Sequence, residues 1–275
     1  MLSELHRGNL NKILQTEILN ISHKLADVAR SVVLPIFRSD GVHTLNKDSS
    51  GFDPVTQADR DCEKAMREVL QEMRPEDGVH GEEFGPLKSN SGLTWVLDPV
   101  DGTRGFISGT PTWGVLIALS DADGPFLGVI DQPYIQERFF GGFGVASFTG
   151  PHGSKQLATR TNVSLTESTL FTTFPEVGDK KDFLGFRSVA DKVKLVRYGL
   201  DCYAYALLAA GHIDLIVEAR LNSYDIQAPI AVIEAAGGFV TNWRGGPAHN
   251  GGQTVAAATS ELLEQVLCLL SPYAD

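Results

Sequence analysis

Four short segments of the sequence place carboxylate side chains in apolar, turn-rich surroundings, where a purely structural role explains them poorly. They are DPVTQAD with Asp53 and Asp59, GEEFG with Glu82 and Glu83, LDPVDGT with Asp98 and Asp101, and NSYDIQAP with Asp225. Oxygen ligands without histidine or cysteine suit Mg²⁺ rather than zinc. The segments therefore indicate a site for a hard divalent cation.

The segment WVLDPVDGTRGF carries the strongest indication of such a site. Its apolar run 95–97 predicts a buried strand, and a carboxylate at the end of that strand is costly unless it meets a cation or strong donors. Because Pro99 fixes the chain, Asp98 and Asp101 could converge on one side of a turn, with the Val100 carbonyl as a further oxygen ligand. Taken alone, the pair is explained equally well as caps of a turn and of the following helix.

The residues that follow this pair could receive an anion. Gly102 and Thr103 begin a predicted short helix through Phe106, and backbone amides at a helix start attract phosphate. Thr103 could also orient a water nucleophile. Glu82 and Glu83, taken alone, would be an exposed charge pair. Only their combination with the other segments points to chemistry.

The composition excludes several classes of protein. A formal net charge of -11 and a pI near 5.1 disfavour nucleic acid as a partner, because binding its phosphates needs clustered Lys and Arg. The three cysteines, Cys62, Cys202 and Cys268, form no CxxC pair, which argues against a disulfide framework and a thiolate zinc site. Without a signal-peptide pattern or an apolar run that could span a bilayer, the sequence predicts a cytoplasmic protein with no membrane partner.

Helical and strand patterns alternate along the chain, and these elements must position the candidate residues. Helices are predicted at 10–37, with an interruption at Pro35, and at 59–74, 181–191, 202–211, 223–236 and 260–270. Strands are predicted at 94–101, 113–120, 126–133, 137–143, 157–163, 169–174, 194–198, 213–219 and 239–243. The segment 39–52 is predicted to be a loop or hairpin.

These elements predict a mixed α/β (α+β) class. No internal repeat or long linker interrupts them, so we expect one compact unit of two packed subdomains that divide near 147–153. Residues 1–150 would carry most of the candidate metal ligands, and residues 151–275 would carry Asp225 and the substrate contacts.

The segments GEEFG, WVLDPVDGTRGF and NSYDIQAPIAVIEAAGG, in this order, resemble the signature segments of the inositol monophosphatase superfamily. The resemblance covers roughly residues 10 to 270 and includes DPVTQAD. It implies a layered αβαβα sandwich and a phosphomonoesterase that binds two or three Mg²⁺ ions. It further implies a small phosphate ester as substrate and a homodimer.

The resemblance also implies roles for individual residues. The metal ligands would be Glu82, Asp98, the Val100 carbonyl, Asp101 and Asp225, with Asp59 holding a further metal or its water. Gly102 and Thr103 would contact the phosphate. Thr103 together with Asp59 would orient the metal-activated water for in-line attack, and Glu83 would support these catalytic residues from behind the ligands.

Within the superfamily, RGFISGTPTWGVLIAL and YGLDCYAYALLAAGHIDLIVEARLNSYDIQAP resemble the histidinol-phosphate phosphatase branch. Asp201 begins a stretch that is small and apolar in inositol-cleaving relatives, and Glu218 falls at a position that contacts substrate in the family. Both could supply counter-charge to the ammonium and imidazole groups of histidinol phosphate. Equally, Asp201 could cap a helix and Glu218 could pair with Arg220.

The sequence leaves three candidate functions for the protein. The first is hydrolysis of L-histidinol phosphate to L-histidinol and phosphate, and the second is hydrolysis of inositol-1-phosphate or a sugar phosphate. Arg104 and Gly105 replace the polar pair usual after the threonine in inositol-type sequences, which weakens the second. The third is a non-catalytic regulator that binds metal or phosphate.

Overall fold

A computed structural model of the chain describes residues 5–39, 44–46, 54–174 and 176–275. Asp53 and most of the predicted loop at 39–52 therefore lie outside the described residues. The α-helices are α1 (Lys12–Val33), α2 (Gln57–Met73), α3 (Thr103–Ser108), α4 (Lys180–Ala190), α5 (Cys202–Ala209), α6 (Ser223–Ala235) and α7 (Ser260–Leu270). Within the described ranges, no helix has the length and apolar character needed to cross a membrane.

The strands form two large sheets and a short pair. The pair joins β1 (Thr44–Asn46) to β2 (Pro54–Thr56) in antiparallel fashion. A seven-stranded sheet follows chain order through β3 (Gly78–Gly81), β4 (Thr94–Asp101), β5 (Gly114–Asp121), β6 (Gly124–Gln132), β7 (Glu137–Gly142), β8 (Val145–Gly150) and β9 (Gly153–Gln156). In this sheet only the β3–β4 pair is parallel among the strands described.

The second large sheet has five strands in the order β11-β10-β12-β14-β13. They are β10 (Thr169–Thr172), β11 (Leu195–Tyr198), β12 (Leu215–Leu221), β13 (Phe239–Thr241) and β14 (Gly252–Ala257). β10 is parallel to both of its neighbours, whereas β14 is antiparallel to both of its own. The sheet is therefore mixed.

The two sheets and six of the helices stack in five layers. α1 and α2 pack on the outer face of the seven-stranded sheet. α5 and α6 lie between the sheets, and α4 and α7 cover the outer face of the five-stranded sheet. Each interlayer space holds a core of buried apolar side chains. This arrangement is the predicted layered αβαβα sandwich, which confirms the fold class.

Local sequence chemistry sets the helix ends near the site. α1 ends at Val33, ahead of Pro35, because proline removes a backbone donor and crowds the preceding turn. α2 begins two residues earlier than the sequence pattern predicts, because Thr56 and Asp59 form a reciprocal capping box. Asp59 is thereby fixed in the first turn of α2.

One predicted strand is wrong. Residues 157–163 form no strand, because their backbone groups bond to different elements in turn: Leu157 N donates to Ala146 O at 2.9 Å and Thr159 N donates to Ala236 O at 3.0 Å. The segment is an extended connector between the two sheets. The nearby range 147–153 lies across β8 and β9 of the first sheet.

Candidate metal centre

Three carboxylates from distant parts of the chain meet beside the C-terminal end of β4. One oxygen each from Asp98, Asp101 and Asp225 lies within 4.8 Å of the other two. Asp98 and Asp101 lie on β4, and Asp225 lies in the first turn of α6. The strand from one sheet and the helix packed beneath it thus bring together the residues that the sequence separates.

Each of these carboxylates is oriented by a backbone amide. Asp98 Oδ1 accepts from Val100 N at 3.0 Å. Asp101 Oδ2 accepts from Cys202 N at 2.6 Å. Asp225 Oδ2 accepts from Asn222 N at 2.6 Å as part of a capping box. The register of β4 against β5 shifts between Asp98 and Asp101, so both side chains turn toward the same space.

Burial and mutual repulsion raise the pKa values of two of the three carboxyl groups. Burial raises the pKa of Asp98 well above its usual value, and the charges of Glu82, Asp101 and Asp225 raise it further. Loss of water contact likewise raises the pKa of Asp101, with Asp201 and Asp225 adding to the effect. Like charges held together this closely favour a cation between them. The all-oxygen donor set fits Mg²⁺.

Glu82 and Val100 line the same cavity, which has a volume of about 590 Å³. Glu82 is near enough to raise the pKa of Asp98, but it is not one of the three residues whose oxygens lie within 4.8 Å of one another. The Val100 carbonyl accepts a hydrogen bond from Thr103 Oγ1 at 3.1 Å. Glu82 therefore reaches the cluster from a separate element, the turn after β3.

Asp59 and Thr103 contact each other next to these carboxylates. Asp59 is buried, and its Oδ2 accepts from Thr56 N at 2.9 Å and from Thr56 Oγ1 at 2.5 Å. Thr103 Oγ1 donates to Asp59 Oδ1 at 3.4 Å. The predicted pair for orienting water is thus in contact, at the start of α3.

Gly102 occupies a position that requires glycine. Its φ is +84°, and a Cβ built there would lie 2.7 Å from Asp201 Oδ2. Left-handed backbone and close approach both exclude a side chain. The backbone turns at this point into α3, and the predicted phosphate contacts, Gly102 and Thr103, line the cavity.

Glu83 lies outside the cavity lining. Its side chain is 1% exposed, and its Oε2 is 3.7 Å from Arg60 Nε on α2. Its backbone amide donates to Glu63 Oε2 at 2.7 Å. Glu83 thus contacts α2 rather than the cavity, and its supporting role stays a prediction.

Glu218 is a buried carboxylate on the cavity wall. It accepts from Thr173 N at 2.7 Å and from Thr173 Oγ1 at 3.0 Å. The alternative pairing with Arg220 is wrong, because Arg220 Nη2 lies 3.1 Å from Asp179 Oδ2 instead. Burial raises the pKa of Glu218 to about 7, against the two hydrogen bonds from Thr173.

Asp201 precedes α5 at the capping position, but its side chain makes no capping hydrogen bond. The structure therefore gives no support to the capping alternative. Burial raises the pKa of Asp201 to about 6, and the charge of Arg104 acts in the opposite direction. The Arg104 guanidinium lies 4.8 Å from the centre of the Phe174 ring, at the mouth of the cavity.

Several residues near the site escaped sequence reasoning. Glu63 is fully buried one helical turn after Asp59, and its spacing on α2 was the available signal. Thr173 and Phe174 follow β10 without any motif of their own. Tyr205 lines the cavity, and among the described residues its hydroxyl has no hydrogen-bond partner.

The chain is similar in sequence to a known protein family and to individual relatives. The model of a family described as the inositol monophosphatase family matches residues 14–273. The bifunctional phosphatase IMPL2, chloroplastic, of Arabidopsis thaliana is 39% identical over 227 residues, which are 82% of this chain and 64% of that relative. The chain thus spans under two thirds of that relative's length.

Two further similarities cover more of the compared proteins. The histidinol-phosphatase of Mycobacterium tuberculosis is 35% identical over 226 residues, covering 79% of this chain and 85% of the relative. A solved structure of an inositol monophosphatase from Zymomonas mobilis superposes with a TM-score of 0.83 at 38% identity, covering 93% of this chain and 98% of that one. Sequence and fold similarity therefore extend across both sheets.

Proposed function

The chain belongs to the inositol monophosphatase family, and we propose that it is a phosphatase that hydrolyses a small phosphate monoester with Mg²⁺. One observation carries the proposal: the oxygens of Asp98, Asp101 and Asp225 converge within 4.8 Å beside the start of α3. Divalent cations and phosphate bind to such a combination of carboxylates and helix-start amides. A stable fold alone does not require buried carboxylates that repel one another.

The residues that would hold the ions are those around the cavity. They are Glu82, Asp98, the Val100 carbonyl, Asp101 and Asp225, with Asp59 for a further ion or its water. When bound, Mg²⁺ lowers the pKa of a water molecule and neutralises charge on the phosphate oxygens. The resemblance to the family suggests two or three ions.

The protein's own groups would orient the water and the ester. Because Thr103 Oγ1 donates its proton to Asp59 Oδ1 at 3.4 Å or to Val100 O at 3.1 Å, its oxygen is left to accept a hydrogen bond from an attacking water. The backbone amides of Gly102 and Thr103 would hold the phosphate in line with that water. No covalent intermediate with the protein is needed.

We propose L-histidinol phosphate as the substrate and L-histidinol and phosphate as the products. Glu218 and Asp201 are carboxylates on the cavity wall that the proposed ligand set does not use. An ammonium group and an imidazole would be the natural partners of such carboxylates. The 35% identity to a histidinol-phosphatase supports this choice.

Inositol-1-phosphate or a sugar phosphate is the second candidate. The 38% identity to an inositol monophosphatase of known structure favours it, since the two chains match over nearly their whole lengths. A non-catalytic regulator that binds metal or phosphate is a distant third, because it would not need the Thr103–Asp59 pair that could orient a water nucleophile.

Phosphate release from L-histidinol phosphate and from inositol-1-phosphate, each with Mg²⁺ and with EDTA, tests these alternatives. We expect kcat/KM to favour histidinol phosphate by at least about tenfold, the discrimination supplied by roughly one charged contact. Equal and slow turnover of both esters would defeat the specific proposal. No Mg²⁺-dependent release from any small ester would defeat the phosphatase assignment.

We also propose a homodimer, on the family resemblance, and a cytoplasmic location with neither nucleic acid nor a membrane as partner, on the acidic composition and the separated cysteines. Light scattering of the purified protein measures its oligomeric state. A monomer at micromolar concentration would contradict the dimer.

A further inference from the structure

The turn after β3, which carries Glu82, is held by two side chains of α2. Glu63 is fully buried, and its Oε2 accepts from Glu83 N at 2.7 Å while Oε1 accepts from Phe84 N at 3.3 Å. A carboxylate that accepts adjacent backbone amides fixes the direction of the chain between them. Glu63 thus sets the orientation of the peptide immediately after Glu82.

Arg67, one helical turn after Glu63, holds the other side of the same turn. Its Nη2 donates to Phe84 O at 3.0 Å and to Gly85 O at 3.1 Å. Its Nε donates to Glu63 Oε1 at 2.7 Å. We call Glu63 and Arg67 together the α2 clamp. The clamp binds amides and carbonyls of one turn through a single ion pair.

The clamp packs closely against the backbone of the turn. A Cβ built on Gly81 would lie 2.1 Å from Glu63 Oε1, so the carboxylate sits directly against the backbone before Glu82. Phe84 is 41% exposed and does not anchor the turn in the core. The turn is therefore held to α2 by polar contacts, namely those of the clamp and the 3.7 Å approach of Arg60 Nε to Glu83 Oε2.

We propose that the α2 clamp is a positioning device for Glu82 and sets the affinity of the site for Mg²⁺. This inference rests on the metal site of the proposed function. Asp98, Asp101 and Asp225 are already grouped by their own elements, whereas Glu82 comes from a turn outside that group. Without the clamp, binding an ion would also have to order this turn, and the affinity would fall.

The buried charge itself supports the assignment. Burying a carboxylate is costly, and an apolar residue at the same point of α2 would pack without that cost. The Glu63 oxygens instead accept hydrogen bonds from two amides of the turn and from Arg67. The residue thus serves the turn rather than the core.

The chain offers a matched control in the connection between α2 and β3. Asp77 is 5% exposed, accepts from Arg74 Nε at 2.8 Å and also accepts from Trp95 Nε1 at 3.0 Å. This pair resembles the α2 clamp in chemistry and burial but lies before β3, at the opposite end from Glu82. Asp77→Asn should cost stability without moving the Glu82 turn.

The test measures Mg²⁺ binding by calorimetry on the full chain without substrate, together with urea unfolding in EDTA. For Glu63→Gln we expect the Mg²⁺ dissociation constant to rise by about 10- to 100-fold, as for other groups that orient metal ligands. For Asp77→Asn we expect it to stay unchanged. In Glu63→Gln, kcat should recover at saturating Mg²⁺ while the KM for the ester stays the same.

A milder variant keeps the test decisive if Glu63→Gln does not fold. Arg67→Lys retains a cation beside Glu63 but loses the paired contacts to the two carbonyls, so a smaller rise in the dissociation constant is expected. Unchanged Mg²⁺ binding in every folded clamp variant, or an equal loss in Asp77→Asn, would overturn the clamp. If the wild type binds Mg²⁺ but hydrolyses no ester, only the proposed function fails, since the clamp is judged on binding.

Discussion

Each carboxylate of this site lies close to others of the same charge. Asp98 is 2% exposed, and the charges of four other carboxylates raise its pKa. Asp225 faces the same group from α6. Because repulsion among them is relieved by a cation, a neutral amide at either position should remove metal binding while sparing the fold.

We predict that Asp98→Asn and Asp225→Asn each lower Mg²⁺-dependent hydrolysis by more than about 100-fold, beyond the loss found for groups that merely orient ligands. Both variants should unfold in EDTA at a urea concentration no lower than that of the wild type, since one buried like charge is removed. Activity assays and urea titrations measure the two quantities. Full activity in either variant would contradict its role as a ligand.

Glu218 should give the substrate affinity a pH dependence. Its pKa of about 7 in the folded protein means that it is neutral well below that pH and charged above it. A cationic ester should therefore bind more tightly as pH rises through about 7, and Glu218→Gln should remove this change. This pH dependence is measured as the KM for histidinol phosphate between pH 6 and 8, compared with the KM for a neutral ester. Identical pH profiles for both esters would exclude Glu218 as the counter-charge to the substrate.

The same group affects stability in the opposite sense. Its pKa is raised from 4.5 to about 7 on folding, so the folded state binds more protons than the unfolded state between these values. Glu218 therefore favours folding at low pH and loses this contribution as pH rises through about 7. In EDTA, Glu218→Gln should flatten that part of the stability profile, as urea titrations at several pH values would show.

For single residues, the sequence identified site candidates where a carboxylate, which is costly to bury, stood in an apolar setting. Asp98, Asp101 and Asp225 could be selected in that way, and the structure brings them together. Glu63 was missed, because its one signal was its spacing from Asp59 on a charged helix, and the turn that it contacts is known only from the structure. Thr173 was missed for the same reason: its role depends on Glu218 from another strand.

Among the elements, the short helix α3 is the one whose backbone conformation bears most directly on the proposed phosphate site. It begins after Gly102 and ends at Gly109, and both glycines have positive φ, +84° and +73°. Their surroundings differ, because Gly102 faces Asp201 whereas a Cβ on Gly109 would meet only Arg38, at 3.7 Å. One end of the helix therefore lines the cavity and the other does not.

We predict that Gly109→Ala costs about 1–2 kcal/mol of stability, the usual penalty for a Cβ in left-handed backbone. Gly102→Ala should cost more than this, because its Cβ would also clash with Asp201. Only Gly102→Ala should also lower kcat/KM, by at least about tenfold, because the start of α3 would shift away from the phosphate position. Thermal unfolding and phosphate-release assays separate the two effects. Equal activity in the two variants would remove the start of α3 from the proposed mechanism.

Element prediction succeeded where periodicity and end signals agreed. α7 was predicted at the observed bounds, Ser260–Leu270, and β4 at Thr94–Asp101. The segment 157–163 has an alternating pattern but forms no ladder with one strand, since Leu157 N bonds to β8 whereas Thr159 N bonds to Ala236, just after α6. Sequence alternation shows that a strand is possible, whereas a partner strand is fixed only by tertiary structure.

Across the whole molecule, the proposed ligands come from three layers. Asp98 and Asp101 belong to the seven-stranded sheet, Asp225 to α6 between the sheets, and Asp59 to α2 on the outer face. An ion at this point would join elements from all three of these layers. Binding of Mg²⁺ should therefore be coupled to the stability of the entire sandwich.

Mg²⁺ at about 100 times its dissociation constant should raise the free energy of unfolding by about 2.7 kcal/mol. EDTA should reverse the effect, and Asp225→Asn should abolish it. Urea unfolding with and without Mg²⁺ provides the measurement. An equal increase in Asp225→Asn would mean that the ion binds elsewhere.

The order in which the ligands occur along the chain has a consequence during protein synthesis. Glu82, Asp98 and Asp101 leave the ribosome with the first sheet, but Asp225 follows only after most of the second sheet has emerged. Until α6 arrives, a nascent chain exposes the apolar sheet face that this helix later covers. A prematurely terminated product would therefore lack both the ion and that cover, and it would be a ready client for chaperones and proteases.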